Sequence, residues 1–214
     1  VWQQPMPLAA GAFLLLVVGG LSVWGLTSPG PTLVEPVARF SLPLGSDQDF
    51  SAVGRHIVAL APNGDYVVYS ANGQLFTRQL DQLQSTAISG TQGNSSSPFV
   101  SPDGEWIGFF AGGQLRKVAV SGGAPVTLCD ARNPWGVSWG ADDMVLFGQG
   151  PGGIWRVPGT GGTPEVLIAV EDGEQAHGPQ MLPGSDWVLF TFRTAGAGGW
   201  NEADVVMQSV ATGE

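Results

Sequence analysis

A turn motif recurs about every 40 residues, and this spacing constrains the fold more than any other feature of the chain. The best copies are Ala61-Pro62-Asn63-Gly64 and Ser101-Pro102-Asp103-Gly104, and Ala141 and Pro183 hold the second position in two weaker copies. Proline at the second position of such a turn fixes φ, and glycine closes the fourth position. The second positions are 40, 39 and 42 residues apart. A period of this length is typical of β-propellers, in which each repeat forms a blade of four short strands.

An apolar segment of five or six residues follows each turn and is predicted to form a strand. The four segments are Tyr66–Ala71, Trp106–Ala111, Met144–Gly148 and Trp187–Phe192. Their nearly continuous apolarity indicates strands covered on both faces, as in blades stacked on blades. Asn72-Gly73 and Gly112-Gly113 accept positive φ and predict tight hairpins, so we expect an all-β fold of four blade-like units. The units are His56–Leu80, Ser97–Leu128, Gly136–Leu167 and a fourth that begins at His177.

The composition of the chain argues against two classes of protein. Eighteen acidic residues and eight basic ones leave a formal net charge of −10. Nucleic-acid binding needs a basic surface that neutralises phosphates, so we expect no nucleic-acid partner. The 33 glycines and 16 prolines exclude an all-helical bundle, because both residues are unfavourable in helix interiors.

Cys129 is the only cysteine, so no internal disulfide can form and the expected role of Cys129 is that of a small buried hydrophobe.

The first charged residue is Glu35, and the segment before it has the composition of a membrane span. A helix over the 19 uncharged residues 8–26 would be about 28 Å long, close to the hydrocarbon thickness of a bilayer. We predict a single transmembrane helix there, after residues 1–7 as the end of an upstream region. A proline-rich spacer over 27–36 and an incomplete propeller over 37–214 are expected to follow. The alternatives for the apolar segment are a buried core helix and a secretory signal peptide, although signal peptides have apolar regions of only about 7–15 residues.

Two glycine-rich sequences match enzyme motifs but lack the context that the chemistry needs. Residues 136–140 fit G-x-S-x-G, whose nucleophile stands on a turn between a strand and a helix. The repeat places Ser138 in an inner strand, so we expect no catalytic serine. Residues 148–153 fit G-x-G-x-x-G, but a strand follows them instead of a helix, so they are expected to form an extended hairpin loop. The acidic run 171–174 is expected to be a solvated loop, because calcium needs more oxygen ligands.

Four residues lie six positions before the second position of their turn and therefore share one place in the repeat. They are His56, Ser96, Trp135 and His177. Inner strands line the central channel of a propeller, so these residues are predicted to form a ligand-binding ring at its mouth. The alternative is that the two histidines only hydrogen-bond neighbouring loops. Two histidines without carboxylates at ligand spacing do not make a metal site, and we expect no metal and no other cofactor.

The stretch Ser95–Asp130 carries a family resemblance. Its sequence, SSSPFVSPDGEWIGFFAGGQLRKVAVSGGAPVTLCD, resembles the TolB-type, WD40-like propeller repeat. The order of span, spacer and propeller resembles the extracytoplasmic part of bacterial transmembrane serine/threonine kinases. This resemblance implies a ring of six or more blades, of which about four occur here, and a strand at 37–44 that opens the propeller. It also implies a kinase domain before Val1, because this chain has no H-R-D or D-F-G motif of its own.

The resemblance implies one principal function and two alternatives. The principal one is a sensor, anchored in the inner membrane by a single span, whose extracytoplasmic propeller binds a protein or a small molecule on its face. Such a propeller segment would have no enzymatic activity of its own. The alternatives are a TolB-type envelope or transport scaffold and the propeller domain of a hydrolase or peptidase. The fold alone does not separate them, because propellers serve many functions.

Overall fold

The computed structural model describes residue 41, residues 43–51 and residues 56–213. Within these residues the structure is all-β, and its strands form four antiparallel sheets. The first sheet contains β1 (Val58–Leu60), β2 (Tyr66–Ala71), β3 (Gln74–Gln79) and β4 (Thr86–Ala87). The second contains β5 (Ser96–Val100), β6 (Trp106–Ala111), β7 (Gln114–Ala119) and β8 (Val126–Asp130). The third contains β9 (Val137–Trp139), β10 (Met144–Gly148), β11 (Ile154–Pro158) and β12 (Glu165–Ile168). The fourth contains β13 (Gln175–Met181), β14 (Trp187–Arg193) and β15 (Asp204–Ser209).

Each sheet is a meander in which strands that follow one another in the sequence are hydrogen-bonded neighbours. The first strands of the sheets also lie beside one another, since β1 contacts β5, β5 contacts β9 and β9 contacts β13. These first strands are therefore the inner strands, and each sheet is one blade of a propeller-like array. The predicted all-β fold and its four units are thus confirmed. The fourth blade has three strands among the described residues.

Each blade connects its first and second strands by the same turn. In every copy the backbone N–H of the fourth residue donates a hydrogen bond of 2.7–3.2 Å, the usual range, to the carbonyl of the first. The bonds join Gly64 to Ala61 (2.9 Å), Gly104 to Ser101 (2.9 Å), Asp143 to Gly140 (3.1 Å) and Ser185 to Leu182 (3.0 Å). The φ angles of the fourth residues are 76° for Gly64, 74° for Gly104, 60° for Asp143 and 59° for Ser185. The third and fourth units therefore keep the left-handed position that glycine favours, although a side chain occupies it.

Side chains within the first two turns stabilise them. Asp103 Oδ1 accepts hydrogen bonds from Ser101 Oγ over 2.5 Å and from the Glu105 backbone N–H over 3.0 Å. These bonds, led by the one from Ser101, hold the pKa of the Asp103 carboxyl below its usual value. Asn63 Oδ1 accepts the corresponding bond from the Asp65 backbone N–H over 3.2 Å. The Asp103 carboxylate and the Asn63 amide therefore serve the same structural purpose in their turns.

Hydrophobic clusters fill the spaces between neighbouring blades. Strand β2 is buried at all six positions, as expected for a strand covered on both faces. Between the first and second blades lie Tyr66, Val68, Leu75, Ile107, Phe109 and Val118. Between the second and third blades lie Phe99, Leu115, Val137, Val145, Phe147 and Val157. Between the third and fourth blades lie Leu146, Ile154, Ile168, Ala176, Val188 and Phe190.

Both glycine-rich motifs lie in β structure. Ser138 belongs to the inner strand β9, and residues 149–153 form the hairpin loop between antiparallel β10 and β11. Each motif therefore lacks the helix that its enzyme chemistry requires.

Cys129 is buried near the end of β8, and burial together with the charge of Asp130 raises its pKa to about 11. Its thiol consequently stays protonated at neutral pH, which makes it unreactive.

Several predictions concern the chain before the first blade. The span at 8–26 and the spacer at 27–36 lie outside the described residues, as does most of the opening strand at 37–44. The loop after β14 contains a short 3-10 helix, Trp200–Glu202, and in the part of the chain that the structure describes no helix has the length and apolarity of a membrane span. Residues 49–51 pair with the end of β2, where the Ser51 backbone N–H donates to the Ser70 carbonyl over 3.1 Å.

Candidate functional site

The four predicted site residues lie at one edge of the blades. The inner strand of each blade begins beside the end of the second strand, because the two are antiparallel. Ser96 accordingly pairs with Phe110, and His177 pairs with Thr191. The hairpins between second and third strands lie at this same edge, which we call the hairpin face. Its hairpin loops are residues 72–73, 112–113, 149–153 and 194–203.

Trp135 and His177 contact each other where the third and fourth blades meet, with ring centroids 6.2 Å apart. Trp200, from the loop 194–203, lies against both rings. Its centroid is 5.6 Å from that of Trp135 and 4.1 Å from that of His177. Arg193 Cζ lies 5.5 Å from the Trp200 ring centre, within the range of a cation–π interaction. We call these four residues the aromatic cluster.

Backbone hydrogen bonds and a close approach of two chain segments position the aromatic cluster. The Trp135 N–H donates to the Gly148 carbonyl over 2.7 Å, and the Gly178 N–H donates to the Trp135 carbonyl over 2.6 Å. A Cβ on Gly148 would lie 2.6 Å from the Trp135 oxygen and 2.9 Å from the His177 Cα. Both of these atoms belong to the backbone and cannot move aside easily. Glycine at position 148 therefore allows the third blade to approach the fourth this closely.

His56 and Ser96 hold the equivalent positions in the first two blades. His56 is exposed, and its Cε1 lies 3.5 Å from the place that a Cβ on Gly136 would occupy. It is therefore near the residue that follows Trp135. Ser96 is partly buried at the start of β5. The structure brings the rings of Trp135 and His177 together and places His56 beside Gly136, but among the described residues no side-chain hydrogen bond joins Ser96 to this group.

Trp200 and Arg193 were missed by the sequence analysis because neither follows the pattern of the repeat. The hairpin loop 194–203 has ten residues, whereas those of the first two blades have two each. This extra length was the available signal, since long loops often carry function. Trp200 is 37 % exposed, and Arg193 Nε is buried without a hydrogen-bond partner among the described residues. Trp200 therefore adds an accessible indole ring to the cluster, and Arg193 adds a hydrogen-bond donor that lacks a protein acceptor.

The aromatic cluster combines flat rings with groups that donate hydrogen bonds. The Arg193 guanidinium can pair with a carboxylate, and the exposed Trp200 ring can pack against an apolar or aromatic group. Among residues 43–51 and 56–213, no group of three His, Cys, Asp or Glu side chains is arranged to hold a metal ion. The chemistry of the cluster therefore suits recognition of a ligand that carries an acidic group next to an apolar one.

Comparison with known proteins finds likeness in structure. No protein-family model matches the chain, and no curated protein sequence matches it. The crystal structure of TolB from Acinetobacter baumannii has a TM-score of 0.60 at 17 % identity, over 73 % of this chain and 41 % of that one. Hydrazine synthase from Kuenenia stuttgartiensis has a TM-score of 0.57 at 14 % identity, over 73 % and 46 % of the two chains. An oligogalacturonate lyase in complex with manganese has a TM-score of 0.55 at 12 % identity, over 72 % and 50 %.

The likeness to these three structures concerns the fold. The chain spans half or less of the length of each of them. Identities of 12–17 % leave function open, since one propeller fold carries many unrelated activities. The blade topology, the contacts between inner strands and the structural neighbours all indicate the same fold. The described part of this chain has a TolB-like β-propeller fold.

Proposed function

We propose that this chain is a membrane-anchored β-propeller that recognises a ligand at its hairpin face and catalyses no reaction itself. One observation carries the proposal. The aromatic cluster gathers side chains from three separate segments of two blades, around Trp135, His177 and residues 193–200. Partly exposed tryptophan and arginine side chains are the groups that most often dominate the energy of protein interfaces. The ligand in this proposal is an acidic segment of a partner protein that also carries aromatic side chains.

Two peptides of equal length test the recognition. One alternates Glu and Phe, and the other alternates Lys and Phe. The full chain should bind the acidic peptide more tightly in a fluorescence titration, because Arg193 can pair with a carboxylate but repels an ammonium group. Trp200→Ala should weaken this binding by about tenfold or more, as expected for an interface hot spot.

Trp187 provides the matched control. It is 40 % exposed, close to the 37 % of Trp200, but it lies at the other end of β14 from the hairpin face. Trp187→Ala should leave the affinity for the acidic peptide unchanged. Equal affinity for the two peptides would contradict the proposed recognition chemistry, and an equal effect of the two tryptophan substitutions would remove the aromatic cluster as the site.

The membrane anchor is proposed on the sequence of residues 8–26, which contains no charged residue. Arginine in the centre of a transmembrane helix costs about 2.5–3.5 kcal/mol per residue on the insertion scale. The double substitution Leu15→Arg and Val18→Arg should therefore move the chain from the carbonate-resistant membrane fraction to the soluble fraction. Leu15→Ile with Val18→Leu is the matched control and should stay with the membrane. If the arginine variant also stays with the membrane, the anchor lies elsewhere.

The cellular context of the propeller is the finer part of the proposal. We propose an extracytoplasmic sensor of a serine/threonine kinase-type receptor, supported by the order of apolar segment, spacer and propeller. The second candidate is a TolB-type envelope scaffold, which the TM-score of 0.60 to TolB favours. The full open reading frame separates them. A kinase domain upstream supports the receptor, a cleaved signal peptide supports the scaffold, and a downstream α/β domain would favour a hydrolase propeller instead.

A further inference from the structure

A cavity of about 650 Å³ opens between the second and third blades on the hairpin face. Its volume falls within the range of about 300–1,000 Å³ that small-molecule sites occupy. The lining comes from the end of β8 and the residues after it, from β10, β11 and the hairpin loop between them, and from Gly113 and Pro164. None of these residues belongs to the aromatic cluster. The cavity is therefore a separate candidate site.

One wall of the cavity is apolar. Pro151 and the half-buried Trp155 line it, together with Phe147, whose side chain is only 1 % exposed. The Trp155 Nε1–H donates to the Gly152 carbonyl over 2.8 Å, so the polar atom of the indole already has a protein partner. Part of the Trp155 ring packs against the core between the second and third blades, and its remaining surface can contact a ligand. A ligand gains most binding free energy here from an aromatic or branched apolar group. Such a group buries apolar area against Trp155, and an aromatic group also makes a ring contact with the indole.

The lining also carries one negative and one positive charge. Asp130 ends β8 and Arg132 follows two residues later, and both line the cavity. Among the described residues these two side chains form no ion pair with each other or with any other group, since the ion pair found there joins Arg156 to Glu165. Asp130 Oδ1 accepts a hydrogen bond from Gln114 Nε2 over 2.9 Å, which keeps the carboxylate in place.

Gln149 adds a third polar group. Its Oε1 accepts the Arg132 backbone N–H over 3.3 Å, which links the hairpin loop to the segment that carries the cation. Its Nε2 is buried and has no hydrogen-bond partner in the described part of the chain. A buried amide donor without an acceptor destabilises the protein by about 1–3 kcal/mol.

We propose that this cavity binds a small zwitterion with an aromatic or branched apolar side chain, of the kind found in aromatic α-amino acids. The carboxylate of the ligand pairs with Arg132, its ammonium group faces Asp130, and its side chain packs against Trp155 and Pro151. A simple acid or a simple amine would satisfy one of the two wall charges and repel the other. A lining that combines two opposite charges with apolar side chains is therefore complementary to an apolar zwitterion, which is neutral overall.

Three ligands of nearly the same shape test the charge requirement. They are L-phenylalanine, 3-phenylpropionate, which lacks the ammonium group, and phenethylamine, which lacks the carboxylate. Isothermal titration of the full chain should show binding of phenylalanine, and binding weaker by about tenfold or more for each of the other two, since a charge-assisted hydrogen bond is lost in each case. Absence of phenylalanine binding at about 10 mM, a concentration well above a typical weak Kd, would overturn the proposal.

Two substitutions assign the charges separately. Asp130→Asn keeps the Oδ1 that accepts from Gln114 and removes the negative charge, so it should abolish the preference for phenylalanine over 3-phenylpropionate. Arg132→Gln should abolish the preference for phenylalanine over phenethylamine. The matched controls are Asp172→Asn, in the exposed acidic loop, and Arg156→Gln, whose side chain does not line the cavity. Both should retain the selectivity of the unchanged chain.

The outcomes separate this proposal from the one for the aromatic cluster. Selectivity that is unchanged in both Asp130→Asn and Arg132→Gln, while circular dichroism shows both variants folded, would exclude the cavity as the site. Trp200→Ala should leave phenylalanine binding intact, because Trp200 does not line the cavity. Loss of phenylalanine binding in Trp200→Ala would place the bound molecule at the aromatic cluster and would also contradict this inference.

Discussion

Single residues decide how closely neighbouring blades can approach. Gly148, at the end of β10, allows the backbone of Trp135 and His177 to pack against it, because any side chain there would collide with backbone atoms. Tyr66 acts in the opposite way, by reaching out of the first blade. Its hydroxyl donates a hydrogen bond of 2.7 Å to the carbonyl of Gly104, in the turn of the second blade. The close approach at Gly148 is possible because glycine has no side chain, whereas the hydrogen bond of Tyr66 depends on a long side chain.

Gly148→Ala should lower the free energy of unfolding by about 1–3 kcal/mol, the usual cost of forcing an extra methyl group into a packed site. The added Cβ would stand 2.6 Å from the Trp135 carbonyl oxygen and 2.9 Å from the His177 Cα. Urea denaturation measures the change. Gly199→Ala is the control, because Gly199 has extended backbone with φ 175° and no atom within 4 Å of the added Cβ. Equal free energies of unfolding for the two variants would show that the third and fourth blades can move apart at position 148 without loss of stability.

The stability of the chain should depend on Tyr66 in alkaline solution. Burial, with a smaller effect of the Asp103 charge, raises the pKa of Tyr66 from 10.0 to about 12. The folded state therefore holds the phenolic proton over a range in which the unfolded chain releases it. The stability that the neutral hydroxyl provides is complete below about pH 10 and is lost as the pH rises towards about 12.

Tyr66→Phe isolates this effect. At about pH 9, where ordinary tyrosines are protonated, the variant should be less stable than the unchanged chain by about 1 kcal/mol, because it lacks the hydrogen bond to Gly104. Above about pH 10 the difference between the two chains should shrink, since only the chain with Tyr66 loses stability through this group. Denaturation midpoints at several pH values give the difference. A difference that stays constant up to about pH 11.5 would contradict the raised pKa.

The turn between the first and second strands is the element that repeats most faithfully. Its hydrogen bond and its positive φ recur in all four blades, although the residues at the fourth position change from Gly64 and Gly104 to Asp143 and Ser185. Asp143 compensates in part, because its Oδ1 accepts the Trp139 Nε1–H over 2.8 Å. The stacking of blades therefore imposes the turn even where the local sequence no longer favours it.

Ser185→Gly should raise the free energy of unfolding by about 0.5–1 kcal/mol. A left-handed conformation costs an L-residue about 1–2 kcal/mol, and the greater freedom of glycine in the unfolded chain offsets part of this gain. The reverse change, Gly104→Ser, should lower stability by about 1 kcal/mol at the equivalent position. Denaturant midpoints of both variants check the pair. If Ser185→Gly destabilises the chain, the serine makes a favourable contact that outweighs its backbone strain.

At the scale of the whole molecule, the array of blades brings distant residues to one face. The residues six positions before the second position of each turn lie near the start of the inner strands. Blade stacking brings the rings of two of them, Trp135 and His177, together and places the third, His56, beside Gly136. We expect the histidine with the closer contact to Trp200 to contribute more to ligand binding. His177 lies 4.1 Å from the Trp200 centroid, whereas His56 is exposed beside Gly136.

The double substitution of His56 and His177 by alanine should abolish binding of the acidic peptide without unfolding the chain. His177→Ala alone should cause most of the loss, because that ring orients Trp200, and His56→Ala should cause less. Peptide titration measures the binding, and circular dichroism confirms the fold. Affinity unchanged in the double variant would exclude both histidines from recognition.

The sequence by itself determined the local structure of this protein. Turn chemistry and runs of apolar residues act over a few neighbouring positions, so they located the turns, the second strands and the tight hairpins, and the 40-residue period identified the blades. The tertiary structure alone decided which side chains meet. Trp200 reaches His177 because the loop 194–203 folds across the junction of two blades, and Asp130 and Arg132 share a cavity with Trp155 because the second and third blades stack there. These meetings depend on how closely whole blades pack, a property that no local pattern of residues records.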